Sequence, residues 1–338
     1  MKILLLIICC AFSLRGVSQQ MVERWEIFEL RLKTDLPRNP FVGVEFYAEF
    51  TQDTLCYSPE GFYDGEGTYV IRFMPTAEGR WKYTTHSNLA GLDKQSGEFI
   101  CTPATKGNHG PVRIRNTYHF EFCDGTPYYP FGTTIYEWAF QNDAKRARTL
   151  QSLKNSPFNK ARMLAVPPYG ENYQQGPDAL QHFPYVGTPP RNWDFSRFDP
   201  LFFQDLEQCV RELQDQGVVI DLILFRPYDK GRWGFDTMSQ NCKQQFVRYV
   251  LARFASFRNI WWSLCNENSF IEGMTDQDWD ELFQTVETYD PYGHMRSIHN
   301  AGRIYNYSKP WVSHVSLQYY NAVRVPGVSP LLRDLYRK

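Results

Sequence analysis

An apolar run that ends abruptly in an amide and a carboxylic acid, Trp261-Trp262-Ser263-Leu264-Cys265-Asn266-Glu267, is the passage of this sequence best equipped for chemistry. At the open end of a parallel sheet, Asn266 offers a hydrogen bond to a hydroxyl and Glu267 a proton to a glycosidic oxygen. The structural alternative is a strand terminus with Glu267 capping the next helix. Other apolar runs also carry or lead into polar or aromatic residues. Arg162 lies in Ala161–Val166, Tyr136 and Trp138 follow 129–134, and Tyr228, Asp229 and Trp233 follow Val218–Phe225. His299 falls near the end of Arg296–Asn300, and Gln318 and Tyr319 close the run that starts at Val312. If the runs are parallel strands, these residues gather at one rim. Tyr136 and Trp138 then form a platform for a sugar ring or merely close the sheet, and the residue types leave both readings open.

The elements that must position them change period along the chain. From about Val22 to Cys101 the text alternates: Val42 to Phe50, then Tyr69, Ile71 and Phe73, then Trp81, Tyr83 and Thr85, with turn signals between. Short strands with no helical pattern predict an antiparallel β-sandwich over 19–104. Thr102 to Pro111 is rich in breakers and reads as the linker. From 105 onward, helical patterns at Asp143–Leu153, Leu201–Gln216, Lys243–Phe254 and Asp276–Tyr289 alternate with strands apolar on both faces. That predicts a parallel sheet covered on both sides. No Gly-rich phosphate turn follows the first strand, so a (β/α)₈ TIM barrel fits better than a doubly wound sheet, and no cofactor is expected.

Met1-Lys2 followed by the apolar run Ile3–Leu14 and Gly16-Val17-Ser18 predicts a signal peptide over 1–18 and export to the periplasm or beyond. Cys9 and Cys10 lack the preceding small residue that lipid anchoring prefers, and no later run has the roughly 18 apolar residues of a transmembrane segment. The 36 Lys+Arg against 37 Asp+Glu give a net charge of −1, so nucleic acid is not an expected partner. Cys56, Cys101, Cys123, Cys209, Cys242 and Cys265 include no CxxC pair and are expected to be free. His294, His299 and His314 have no HxH or HExxH spacing, so no metal is expected, and the absence of G-x-S-x-G argues against a serine hydrolase. Oligomeric state is not legible.

The run W-S-L-x-N-E at 262–267 resembles the acid/base strand of the retaining glycoside hydrolases with (β/α)₈ barrels, clan A. Asn108-His109-Gly110-Pro111, Pro130-Phe131-Gly132-Thr133-Thr134, Ser156-Pro157-Phe158-Asn159-Lys160, Asp290-Pro291-Tyr292-Gly293-His294 and Arg296-Ser297-Ile298-His299-Asn300 resemble apiosidase-like glycoside hydrolases of bacterial polysaccharide-degrading systems. Gly61-Phe62-Tyr63-Asp64-Gly65 and Ile71-Arg72-Phe73-Met74-Pro75 resemble the Ig-like domain of unknown function that precedes them. The resemblance implies a carbohydrate substrate from plants or algae. It makes Glu267 the acid/base and Asn266 the contact to the sugar 2-hydroxyl. It makes Arg162 the residue steadying the nucleophile, with a structural ion pair as the other reading. It also departs from the family pattern at Arg226, where a histidine is expected, and at Asn268, where an aromatic is expected. Strands fall near Phe131, Met163, Leu222, Trp262, Ile298 and Val315, with a sixth helix at 331–336, so the barrel is expected to be C-terminally incomplete. The retaining nucleophile, by the same resemblance, then lies beyond Lys338. The other outcomes are an inverting pair using Glu137 or Asp229, or a non-catalytic carbohydrate-binding remnant.

Overall fold

The computed structural model describes residues 20–167, 180, 182–228 and 231–318. The segment 1–18, Asp229, Tyr319 and the helix expected over 331–336 lie outside the described residues.

The alternating N-terminal sequence folds into β1 (Met21–Glu23), β2 (Phe28–Lys33), β3 (Phe46–Gln52), β4 (Leu55–Tyr57), β5 (Phe62–Tyr63), β6 (Thr68–Phe73), β7 (Gly79–Ser87) and β8 (Ser96–Thr102). Two sheets, ordered β1-β8-β7-β3-β4 and β2-β6-β5, enclose a core of Phe28, Phe50, Tyr69, Ile71, Phe73, Trp81 and Phe99. The expected strand start at Val42 moves to Phe46. Gly43 has φ +74°, which breaks the extension, and Phe41 packs edge-on against Tyr63 and Phe198 at 5.1 and 5.5 Å.

Strand β6 departs from simple alternation, because all six of its residues are buried. Its second face meets the C-terminal region. There Arg72 donates from Nη1 and Nη2 to Glu207 at 2.7 and 2.8 Å, and from Nε to Glu29 at 2.8 Å. Arg253 pairs with Asp64, which also accepts from Arg31 at 2.8 Å. Tyr292 accepts from the Met74 amide at 2.8 Å. Nor is the segment 102–111 a loose tether: Asn108 is buried and donates to Glu23 at 2.6 Å and to the Arg24 carbonyl at 2.9 Å.

A small sheet of β9 (Val112–Arg115), β10 (His119–Phe122) and β11 (Pro127–Tyr128) comes next, ordered β11-β10-β9. Its Val112, Phe120, Phe122 and Tyr128 pack on Val219, Trp261 and Met295. They therefore cover the N-terminal end of the sheet that follows. That sheet is parallel, ordered β12-β13-β16-β17-β18. Its strands are β12 (Gly132–Thr134), β13 (Lys160–Leu164), β16 (Val219–Phe225), β17 (Ile260–Cys265) and β18 (Arg296–Ser297). The helices are α1 (Asp143–Lys154), α2 (Pro200–Asp215), α3 (Gln240–Phe254) and α4 (Asp276–Tyr289). Leu206, Cys209, Val210 and Leu213 of α2 are buried as their spacing predicts, and Gly217 at φ +70° ends the turn. The long loop expected between β13 and α2 contains an antiparallel pair, β14 (Tyr185–Thr188) and β15 (Asn192–Phe198).

Against the eight strands expected of a barrel, the described residues contain five parallel strands and four α-helices. The sixth strand, expected over 312–318, reduces to a single bridge between His299 and Ser316. Serine hydroxyls supplement one backbone bond, from the Ser313 amide to the Arg296 carbonyl at 2.9 Å. Ser313 Oγ accepts from the Arg296 amide at 2.6 Å, and Ser297 Oγ donates to the His314 carbonyl at 2.6 Å. None of the six described cysteines is paired, and Cys56 is exposed.

Candidate active site

The site is built where β17 ends. All six β17 residues are buried, and Trp262 is anchored on the outer side by its Nε1, which donates to Asp290 Oδ2 at 3.0 Å. The chain continues along its neighbour for one more residue: the Asn266 amide donates to the Phe225 carbonyl at 3.0 Å. Glu267 then enters the left-handed region at φ +52°, ψ +54°. A non-glycine residue held there costs on the order of 1–3 kcal/mol, a strain that surrounding contacts must hold in place. The turn that follows closes with the Phe270 amide on the Glu267 carbonyl at 3.0 Å. The capping alternative fails. Glu267 makes no side-chain cap on this turn, and α4 is capped by Thr275 in a reciprocal box with Asp278.

Glu267 is half-buried, and its Oε1 accepts from Gln318 Nε2 at 2.6 Å. Gln318 is held in turn, its Oε1 lying 3.1 Å from His299 Nε2 and its amide donating to Asn300 Oδ1 at 2.9 Å. His299 Nδ1 lies 3.0 Å from Ser316 Oγ. Burial, and next the Arg162 charge, push the His299 imidazole below its ordinary range. Three residues expected at separate strand ends, Glu267, His299 and Gln318, thus form one bonded chain. Asn266 is buried beside them, and its Oδ1 has no partner among the described residues. A buried amide oxygen of this kind suits a ligand hydroxyl.

Below this rim lies a charged layer of which only Arg162 stands out in the sequence. Arg162 donates from Nε to Asp221 Oδ2 at 3.0 Å, its register partner on β16. Its Nη1 reaches Tyr136 Oη at 3.5 Å, and its Nη2 has no partner among the described residues. The ion-pair reading of Arg162 is therefore present, with one donor left over. Burial pushes the Asp221 carboxyl up, but Lys160 and Arg162 outweigh it and hold it below the usual range. Lys160 Nζ sits 3.7 Å above the Trp261 ring and is itself pushed down by burial. The signal for Asp221 was available: it is the one charge inside an otherwise apolar strand.

The other expected residues divide. Tyr136 is half-buried beside Arg162, and Tyr228 is 41% exposed beyond β16. Trp138 does not serve as a platform: it is 3% exposed, and its Nε1 donates to the Arg146 carbonyl at 3.0 Å. Trp233 is likewise a packing residue, buried against Phe183 and Trp193 at 5.3 and 5.8 Å. Arg226, Arg191, Asp236 and Glu272 line a cavity of about 250 Å³ beside the Glu267 turn, and only the first of them was singled out in the sequence. Among the described residues the arrangement offers a carboxyl with one oxygen held and no bond to the other, an amide acceptor, and a guanidinium with a spare donor. Groups of these types are suited to protonating an oxygen and binding hydroxyls.

The family described as "Apiosidase-like, catalytic domain" matches residues 115–325, and "Domain of unknown function (DUF5060)" matches 21–88. A crystal structure of a "putative glycoside hydrolase" from Bacteroides vulgatus ATCC 8482 is 41% identical, with a TM-score of 0.88 over 95% of this chain. The chain spans 64% of that protein's length. A family 5 glycoside hydrolase from the same organism is 14% identical with a TM-score of 0.46, covering 62% of this chain and 45% of that one. A family 5 mannosidase from Rhizomucor miehei is 10% identical with a TM-score of 0.46, covering 68% of each chain. No curated protein matches.

Proposed function

The chain belongs to the apiosidase-like catalytic-domain family, and from that membership we propose that it is the acid/base-bearing part of an exported glycoside hydrolase acting on plant or algal glycans. The observation that carries the reading is Glu267 at the end of β17, turned into the left-handed region and held by Gln318 instead of capping a helix. In the retaining mechanism Glu267 protonates the departing oxygen and then takes a proton from water. Asn266 binds the 2-hydroxyl, and Arg162 presents its spare Nη2 to the nucleophile. The retaining reaction needs a second carboxylate, the nucleophile, about 5–5.5 Å from Glu267. The division of the chain into a signal peptide over 1–18, a sandwich to 104 and a catalytic region from 105 belongs to the same reading.

The test is hydrolysis of a panel of plant and algal glycans by the full-length protein, with and without Glu267→Gln. Release of sugars that the substitution abolishes supports the reading. Glycan binding without turnover by the full-length protein supports a carbohydrate-binding remnant instead.

A further inference from the structure

We propose that Gln318 is a positioning residue for Glu267, the last link of a one-way chain of donors from Ser316 through His299 that assigns the transferable proton to Glu267 Oε2. The proposal rests on the acid/base reading of Glu267. The distances alone, 3.0, 3.1 and 2.6 Å along Ser316–His299–Gln318–Glu267, allow two directions. A neutral imidazole has one donor and one acceptor nitrogen, and an amide has one donor end and one acceptor end, so a single choice orders the whole chain. In the forward order Ser316 Oγ–H donates to His299 Nδ1, Nε2–H donates to Gln318 Oε1, and Gln318 Nε2–H donates to Glu267 Oε1. In the reverse order every proton moves to the other partner, and Glu267 Oε1 must itself carry a hydrogen.

One feature selects the forward order. The amide end that faces Glu267 is Nε2, a donor, at 2.6 Å, which leaves Oε1 to accept from His299 at 3.1 Å. His299 is buried beside the Arg162 charge, which keeps the ring neutral, so its two nitrogens carry opposite roles. The links themselves are fixed from behind. The Tyr307 hydroxyl lies 2.7 Å from the Ile298 carbonyl and 2.6 Å from the Ser316 carbonyl and shares its one hydrogen between them, and Gln318 is tied to Asn300.

The consequence is mechanistic. As the nucleophilic carboxylate bonds to the anomeric carbon and the glycosidic C–O bond breaks, the departing oxygen keeps that bond's electron pair and takes the proton from Oε2. The carboxylate left behind already has a donor on Oε1, so no side chain must turn to meet the new charge.

The direction is read by nitrogen-15 NMR of the imidazoles in this chain at neutral pH, with the His299 signal identified by its loss in His299→Gln. A neutral ring with its hydrogen on Nε2 is expected; a hydrogen on Nδ1 overturns the proposal. That spectrum decides without any variant at position 318. The catalytic half uses Gln318→Leu in the full-length protein. Turnover of glycans with poor leaving groups should fall roughly tenfold to a hundredfold with KM unchanged, while aryl glycosides with good leaving groups are spared. An equal loss on both substrate types, or a change in KM alone, also overturns it. If Glu267→Gln keeps full turnover, the acid/base reading fails instead, whatever the imidazole spectrum shows.

Discussion

Among single residues, Asp221 has the clearest structural consequence. It is buried in mid-strand, pairs with Arg162 at 3.0 Å and offsets the nearby Lys160 charge electrostatically. Removing one partner of a buried pair leaves an uncompensated charge, typically about 3–5 kcal/mol. Asp221→Asn should destabilise the chain by that order in chemical denaturation; a change under 1 kcal/mol would show that the layer is hydrated and not desolvated. His314 lies in the same layer, against Trp261 and Phe120, where burial pushes its imidazole down to about 4. Its neighbours Lys160 and Arg162 push the same way, and Asp221 opposes them. The unfolded chain thus takes up a proton near pH 6.5 that the folded chain refuses until about pH 4. Stability should be complete above pH 6.5 and fall by roughly 3 kcal/mol on descending to pH 4. The slope over that window should flatten in His314→Gln, and an unchanged slope would rule His314 out as its source.

What sequence conveyed about the site follows the same physics. Glu267, His299 and Gln318 were legible because a polar residue ending an apolar run stands out whatever the partners are. Asp221 was passed over because strands apolar on both faces are read by their majority. Of the two readings of Trp138 its burial favours closure over a platform, and Trp233 also turns inward, which sequence alone does not tell of a loop aromatic.

At the level of elements, motifs that mark the family prove to be joints. Asp290 holds Trp262 and the buried His294, at 3.0 Å to each, while Tyr292 reaches across to Met74. Asn159 donates from its amide to the Tyr129 carbonyl at 2.9 Å and accepts from the Phe131 amide at 2.7 Å, so a side chain continues the pairing beside β12. Asn108 fastens the linker, and Gly110 at φ +75° lies so close to the Trp25 ring that an added Cβ would stand 2.6 Å from it. The breakers in 102–111 therefore shape a fixed crossing, and the preferential proteolysis that its composition suggests should be confined to the exposed tip at Lys106-Gly107. Asn108→Ala should make cleavage there markedly faster under limiting trypsin, with the flanking sheets still intact by circular dichroism. Equal rates in both proteins would mean that Asn108 does not restrain the segment. The sixth strand differs for a related reason: Ser297 and Ser313 spend their hydroxyls on backbone and Ser316 on His299, contacts that the apolar pattern of 312–318 does not reveal.

For the molecule as a whole, the two regions behave as one body because β6 faces both ways. Arg72, 3% exposed, bridges Glu29 of its own region and Glu207 of α2, with Arg253 and Asp64 completing the network. Arg72→Ala opens a cavity beside Glu207, which keeps Arg211 at 2.9 Å and Arg253 at 3.3 Å, and should cost about 1–3 kcal/mol. It should also split a single calorimetric transition into two, because the regions lose a buried polar tie; a single transition at lower temperature would show that the remaining contacts, Arg253–Asp64 among them, suffice to couple them.

The central claim is that Glu267 gives a proton to the departing oxygen. It is tested most directly by kcat/KM of the full-length protein and its Glu267→Gln variant on glycosides that differ only in the leaving group. For a poor, alkoxide-like leaving group the variant should lose about 10²–10⁴-fold. For a dinitrophenyl glycoside, which departs without a proton, it should lose far less in the bond-breaking step. Equal losses across the series, or none, would contradict the assignment.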